Sequence, residues 1–131
     1  MRWALLGSLP PVFLAGPASA QCLFFPGPGN DNFVCSSNSA PGLTDTGGNN
    51  TLTFPAGGTG VIGGNVTFGN GTDSVVQQSG RIVGAVNQGD GADSYAISGG
   101  IVNGTIQQGN GTDDFRMTGW IVPLTMPPLI A

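Results

Sequence analysis

Gly69-Asn70-Gly71-Thr72-Asp73 returns as Gly89-Asp90-Gly91-Ala92-Asp93 and again as Gly109-Asn110-Gly111-Thr112-Asp113, in register and without a gap. The same 20-residue period aligns Ile62, Ile82, Val102 and Val122, then Gly64, Gly84 and Gly104, then Val66, Val86 and Ile106. Further columns hold Val75, Tyr95 and Phe115, and Gln77, Ile97 and Met117. Self-similarity at a short fixed period is the signature of a repeat architecture. Upstream, residues 45–52 read as a degenerate copy displaced by a three-residue insertion, with Asn50 and Leu52 falling where Asp73 and Val75 do.

Within each unit the apolar positions alternate. Ile82, Gly84 and Val86 share one face, and Arg81, Val83, Ala85 and Asn87 the other. Tyr95 and Ile97 likewise oppose Ser94, Ala96 and Ser98, which is strand periodicity. A helix through these units would carry several glycines, at about 1 kcal/mol each. Each unit therefore predicts two short strands, separated by a Gly-x-Gly-x-Asp turn and by a second turn at Ser79-Gly80 or Gly99-Gly100. One unit cannot bury its own apolar face, but stacked copies can, about 4.8 Å apart with equivalent residues in ladders. The expected fold is all-β, a parallel β-helix or β-solenoid with about 20 residues per coil. Its core columns are Ile62/Ile82/Val102, Val66/Val86/Ile106 and Val75/Tyr95/Phe115, and Gly84 and Gly104 would let two sheets approach closely.

Composition narrows the function classes. The 131 residues include 24 glycines and 10 prolines, while charged residues make up only 8%. Three Arg stand against seven Asp, with no Lys, Glu or His. This excludes a basic nucleic-acid footprint, His-dependent nucleophilic catalysis, imidazole metal sites and lysine chemistry. Residues 1–20 read as a secretory signal: Arg2 opens it, an apolar core follows, and Ala18-Ser19-Ala20 precedes Gln21 as the cleavage pattern. In an exported chain, Cys22 and Cys35 are expected to form a disulfide stabilising by about 3 kcal/mol, the alternative being two free thiols. The domain reading is a signal peptide at 1–20, an irregular capping segment at 21–44, solenoid repeats at 45–119 and an aberrant apolar tail at 120–131.

The stretch Gln21 to Cys35, the Leu52-Thr53-Phe54-Pro55-Ala56-Gly57-Gly58-Thr59-Gly60 segment and the three Gly-x-Gly-x-Asp units together resemble the N-terminal passenger region of bacterial autotransporter proteins. That resemblance covers residues 21 to about 119. It implies a right-handed β-helix at the cell surface, delivered through the outer membrane by translocation machinery or a C-terminal β-barrel. No barrel is present here, and the repeat collapses after Gly119, where Trp120, Pro123 and Leu124 break the pattern. A frameshift or premature stop in a longer gene is the expectation, and translating the downstream DNA in all three frames tests it.

A second resemblance is to the calcium-binding nonapeptide of secreted toxins, which would stack Asp73, Asp93 and Asp113 around calcium. The favoured expectation is that each Asp faces solvent and accepts hydrogen bonds from the N–H groups of its own turn, since each coil has one such turn rather than two. No metal, cofactor, catalytic residue or small-molecule substrate is expected. Asp113 and Asp114 project to opposite faces of a strand, and Arg81 and Arg116 are read as solvated. The Asn-x-Thr triplets at Asn49, Asn65, Asn70, Asn103 and Asn110 would be glycan acceptors on a eukaryotic route and are turn chemistry in a bacterial one. The reading is an exported, non-catalytic surface stalk or adhesin-like segment, with a calcium-dependent β-roll module as the alternative and the surface ligand unspecified.

Overall fold

A computed structural model describes residues 21–119; the expected signal segment with its Ala20 junction and the stretch 120–131 lie outside the described residues. The described chain winds into a parallel β-solenoid of about four turns. The first coil holds β1 (Asn32–Val34), β2 (Ser39–Ala40) and β3 (Leu43–Asp45). The second holds β4 (Thr51–Phe54), β5 (Val61–Ile62) and β6 (Val66–Phe68). In the third, β7 (Ser74–Ile82) runs to β8 (Val86–Asn87); in the fourth, β9 (Ser94–Val102) runs to β10 (Ile106–Gln107); β11 (Asp114–Met117) opens a fifth.

Every strand pair is parallel and joins one coil to the next. One sheet stacks β1, β4, β7, β9 and β11, with β2 and β5 adding to the later part of β7; the other stacks β3, β6, β8 and β10. The predicted columns are the observed registers. Phe33, Leu52, Val75, Tyr95 and Phe115 lie in line, as do Ala40, Ile62, Ile82 and Val102, and Leu43, Val66, Val86 and Ile106. Leu52, Ile62, Val66, Val75, Ile82, Val86 and Tyr95 are fully buried. At about 1.5–3 kcal/mol for each fully buried large aliphatic side chain, these columns supply the driving force for stacking. Arg81 and Arg116 are exposed, as the alternation predicts.

Four features differ from the sequence reading. The segment 21–44, expected to be irregular, contributes β1, β2 and most of β3, because Phe33, Ala40 and Leu43 fall into the core columns although their spacing departs from 20. The second glycine turn does not divide strands. Gly80 and Gly100, at φ 71° and 83°, bend one continuous nine-residue strand through a bulge, with ladder bonds resuming at Arg81 N–H to the Gly60 carbonyl (2.9 Å). The break falls instead at Val83-Gly84 and Asn103-Gly104. There glycine serves approach along the stack rather than between sheets: a side chain at Gly84 would strike the backbone of Gly64 in the coil below. The fourth difference, the orientation of the aspartates, defines the candidate site.

The three-residue insertion is accommodated at 55–60, between the pairs Phe54/Gln77 and Val61/Arg81. This bulging loop is tied down by Thr59 N–H to the Ser36 carbonyl (2.8 Å) and Ser79 Oγ to the Pro55 carbonyl (2.6 Å). Cys22 and Cys35 are joined in a disulfide and both buried, and Cys22 N–H donates to the Ser37 carbonyl (3.0 Å). Gln21 bridges Ser37 in parallel, and Phe24 packs edge-on against Phe33 at 5.5 Å. The N-terminal loop is thereby fastened over the first coil. A buried disulfide forms and persists in oxidising compartments, which favours a location outside a reducing cytoplasm.

Candidate functional site: a buried aspartate column

The repeated turns set up the site. Gly89 and Gly109 adopt φ 81° and 77°, and Gly91 and Gly111 adopt φ 151° and 152°, backbone that side-chain-bearing residues rarely adopt. A Cβ on Gly91 would strike the carbonyl oxygen of Gly71 directly below, and one on Gly111 that of Gly91. Gly69 and Gly71 sit equally close to Thr46 and Gly48. Glycine is required here because successive turns nest backbone on backbone.

Nesting turns the aspartates inward. Asp73 and Asp93 are 0% and 1% exposed, which corrects the expectation of solvent-facing carboxylates at these two positions, whereas Asp113 is exposed; Asp45, outside the three repeats, is also buried at 3%. The alternation accounts for it: residues 73, 75 and 77 share parity, so Asp73 faces the same way as the buried Val75 and Gln77. Nor do the carboxylates of Asp73, Asp93 and Asp113 bond their own turns. Each side chain of this column accepts from the coil before it: Asp31 N–H donates to Asn50 Oδ1 (3.1 Å), Asn50 N–H to Asp73 Oδ1 (2.6 Å), Asp73 N–H to Asp93 Oδ1 (2.9 Å) and Asp93 N–H to Asp113 Oδ1 (3.1 Å). The following residues bond in the reverse sense, Ser74 N–H to the Asn50 carbonyl and Ser94 N–H to the Asp73 carbonyl. The side chains of this inner ladder point toward the N-terminal end of the stack.

A second ladder on the outside of the same turns points the other way. Asn49 N–H donates to Asn30 Oδ1, Thr72 N–H to Asn49 Oδ1 and Asn110 N–H to Asp90 Oδ1. Side-chain oxygens thus satisfy turn N–H groups that no strand ladder reaches.

The inner column and its neighbour Asp45, which pairs with Phe68 at the end of β3, are electrostatically strained. Asp45, Asp73 and Asp93 each hold a buried Oδ2 with no hydrogen-bond partner. Burial pushes the Asp73 carboxyl up to about 6, helped by the like charges of Asp93 and Asp45 and opposed by the Asn50 N–H. Asp93 is raised by burial and by Asp113 and Asp90, against the Asp73 N–H. Asp45 is raised by burial, with Asp31 adding to it and the Gly47 N–H opposing. Asn50, in the same column, shows the neutral solution: its Nδ2 donates to the Gly47 carbonyl (2.9 Å) and the Asp45 carbonyl (3.3 Å).

Of the inward amides, Asn50 and Gln77 stand in repeat columns of the sequence, but Gln88 and Gln108 were not singled out. Gln88 Nε2 bridges the carbonyls of Asp73 and Ser94, and Gln108 repeats the arrangement toward Asp93 and Asp114. Tyr95 Oη donates to Gln77 Oε1 at 2.6 Å inside the core, and burial holds its phenol above the usual range. Gln88 and Gln108 recur at the 20-residue period, a signal that could have marked them as inward.

Chemically, this column can take up protons and lock coils in register. Asp73 and Asp93 are closed to a substrate, and their Oδ1 atoms are committed to backbone donors. Among the described residues, no three Asp, Glu, His or Cys side chains converge as a metal site requires. Asp113, in the last described turn, and its neighbour Asp114 are exposed. Comparison with protein-family models, curated proteins and solved structures finds no match to this chain.

Proposed function

We propose that the chain is a non-catalytic, exported structural segment: a rigid solenoid of the kind an autotransporter passenger uses to hold or present a surface outside the cell. What supports this is where the polar chemistry lies. The carboxylates of Asp73 and Asp93, the amides of Gln77 and Gln88 and the phenol of Tyr95 are all turned into the stack and bonded there, so the described coils offer rigidity rather than a reacting centre. The oxidised Cys22–Cys35 pair fits delivery to the outside, through outer-membrane translocation machinery or a barrel, with the cell surface as destination. Its adhesin-like contact would lie on the exposed outer surface, which carries Arg81 on one sheet and Asn87 on the other.

Expression of the full chain in a Gram-negative host tests export. The expected result is loss of residues 1–20, an oxidised cysteine pair and recovery outside the cytoplasm; a full-length, reduced cytoplasmic product overturns the proposal. Far-UV circular dichroism with excess chelator separates it from a calcium-dependent module. The β signal is expected to persist, whereas a coil spectrum that recovers with calcium would favour the module.

A further inference from the structure

The turn after β3 carries the strap formed by residues 22–31 directly against it. A Cβ on Gly47 would meet the Pro28 carbonyl oxygen at 2.9 Å, and one on Gly48 would strike the Gly29 carbonyl. Two carboxyls face each other across this contact. Asp31, half-buried at the end of the strap, accepts Gly27 N–H at Oδ2 (2.6 Å); Asp45, buried at the end of β3, accepts Gly47 N–H at Oδ1 (3.1 Å). The two carboxyls approach within hydrogen-bonding reach of one another, and Gly27 N–H faces both. Asn50 fixes the approach from behind. Its Oδ1 accepts Asp31 N–H (3.1 Å) and its Nδ2 donates to the Asp45 carbonyl (3.3 Å).

The contact is one donor short. Asp45 Oδ2 is buried with no hydrogen-bond partner, and an ionised Asp31 beside it has no proton to offer. No cationic side chain makes up the difference. Among the described residues, the charged groups facing Asp45 are Asp31 from the strap and, in the next coil, Asp73 from the turn before β7, while its ladder partner on β6 is Phe68. Burial, with Asp31 adding to it, holds the Asp45 carboxyl above the ordinary carboxylate range. Carboxylates in contact repel when both are ionised, and a single proton held between them removes the repulsion.

We infer that Asp31 and Asp45 share one proton, and that this proton latches the strap to the first coil and releases it as the pH rises. In the latched form a proton taken from water lies between the two carboxyls and the pair carries one negative charge. On release the proton returns to water, the pair carries two, and the carboxylates part. The Cys22–Cys35 disulfide holds the base of the strap in both forms, so release opens the strap without unwinding the coil and uncovers Phe33, on which Phe24 packs. Because the folded carboxyl of Asp45 is raised above the 3.8 of an unfolded chain, the latch is complete below that pH and is lost as the pH climbs through the raised value.

NMR of the full oxidised chain between pH 3.5 and 8 tests this, following the side-chain carboxyl carbons and the exchange of Gly27 N–H corrected for its intrinsic rate. The Asp31 and Asp45 carboxyl signals are expected to titrate as a coupled pair, and protection of Gly27 N–H to fall by about tenfold or more across the range. Asp31→Asn is the locked form: its amide donates to Asp45 Oδ2 at any pH while its oxygen still accepts Gly27 N–H, so its protection should persist at pH 8. Asp73 is present in both chains, and its own pH dependence cancels in the comparison. Wild-type protection that does not change with pH, or an equal loss in Asp31→Asn, overturns the latch. Recovery of wild-type protection at pH 8 on adding calcium overturns the proton and assigns the pair to a metal ion. Export does not enter these readouts, so failure here is distinguishable from failure of the proposed function.

Discussion

Replacing Asp73 by Asn tests the buried column most directly. Burial raises the pKa of the wild-type carboxyl to about 6 in the fold, against 3.8 in an unfolded chain. At about 1.4 kcal/mol per unit, ionised Asp73 destabilises the fold by about 3 kcal/mol once the pH exceeds both values. The sign follows from a raised folded pKa. Between about pH 4 and 6 the folded chain keeps a proton that the unfolded chain has released, so stability falls as pH rises through that window and levels off above it. An amide at this position would keep an oxygen for the Asn50 N–H, and its nitrogen would meet turn carbonyls as Asn50 Nδ2 does one coil earlier. Asp73→Asn should therefore gain about 3 kcal/mol at pH 8, or about 10–20 °C in Tm for a domain of this size. The gain should shrink to within about 1 kcal/mol below pH 4, where wild-type Asp73 is neutral too. Heat and urea unfolding of the oxidised chain, followed by far-UV circular dichroism from pH 3.5 to 8, measures both. A variant no more stable than wild type at pH 8, or a gain independent of pH, refutes the inward-facing column.

The other predictions concern packing. Val86→Asp places a carboxylate between Val66 and Ile106 and should cost several kcal/mol, whereas Asn87→Asp, exposed and still able to accept the Gly89 N–H, should be nearly neutral; similar melting temperatures would contradict the face assignment. Tyr95→Phe leaves Gln77 Oε1 buried without its donor and should lower stability by about 1–3 kcal/mol in urea titrations. Gly91→Ala forces a Cβ against the Gly71 carbonyl at an unfavourable φ and should cost about 2 kcal/mol or more, while Gly29→Ala, with nothing within 4 Å of its Cβ position, should leave the unfolding midpoint nearly unchanged.

Much of the architecture was legible because a solenoid writes itself as a period. Ile82 and Val102, or Tyr95 and Phe115, occupy the same environment one coil apart, so translation by 20 residues is also a spatial neighbourhood. The first coil escaped notice for the same reason. Phe33 pairs with Leu52 and Leu43 with Val66, offsets that differ from 20 and from one another, so no single shift aligns them. The strand continuous through Gly80 was hidden because Ser-Gly is equally good chemistry for a turn and for a bulge; the neighbouring strand's ladder decides between them.

The sequence alone determined the parallel stack, its apolar columns and the glycines of its turns, because these depend on which residues recur and on the alternation of a strand. It did not determine where a polar side chain in those turns finds its partner. Asp73 could have bonded its own turn's N–H groups in water; stacking instead placed the Asn50 N–H of the preceding coil at its Oδ1 and excluded solvent from its Oδ2. That choice rests on contacts between coils, and so do the opposed inner and outer ladders. A hydrogen bond's partner and a carboxyl's dielectric are properties of neighbours about 20 residues away in the chain, and only the folded stack brings them within reach.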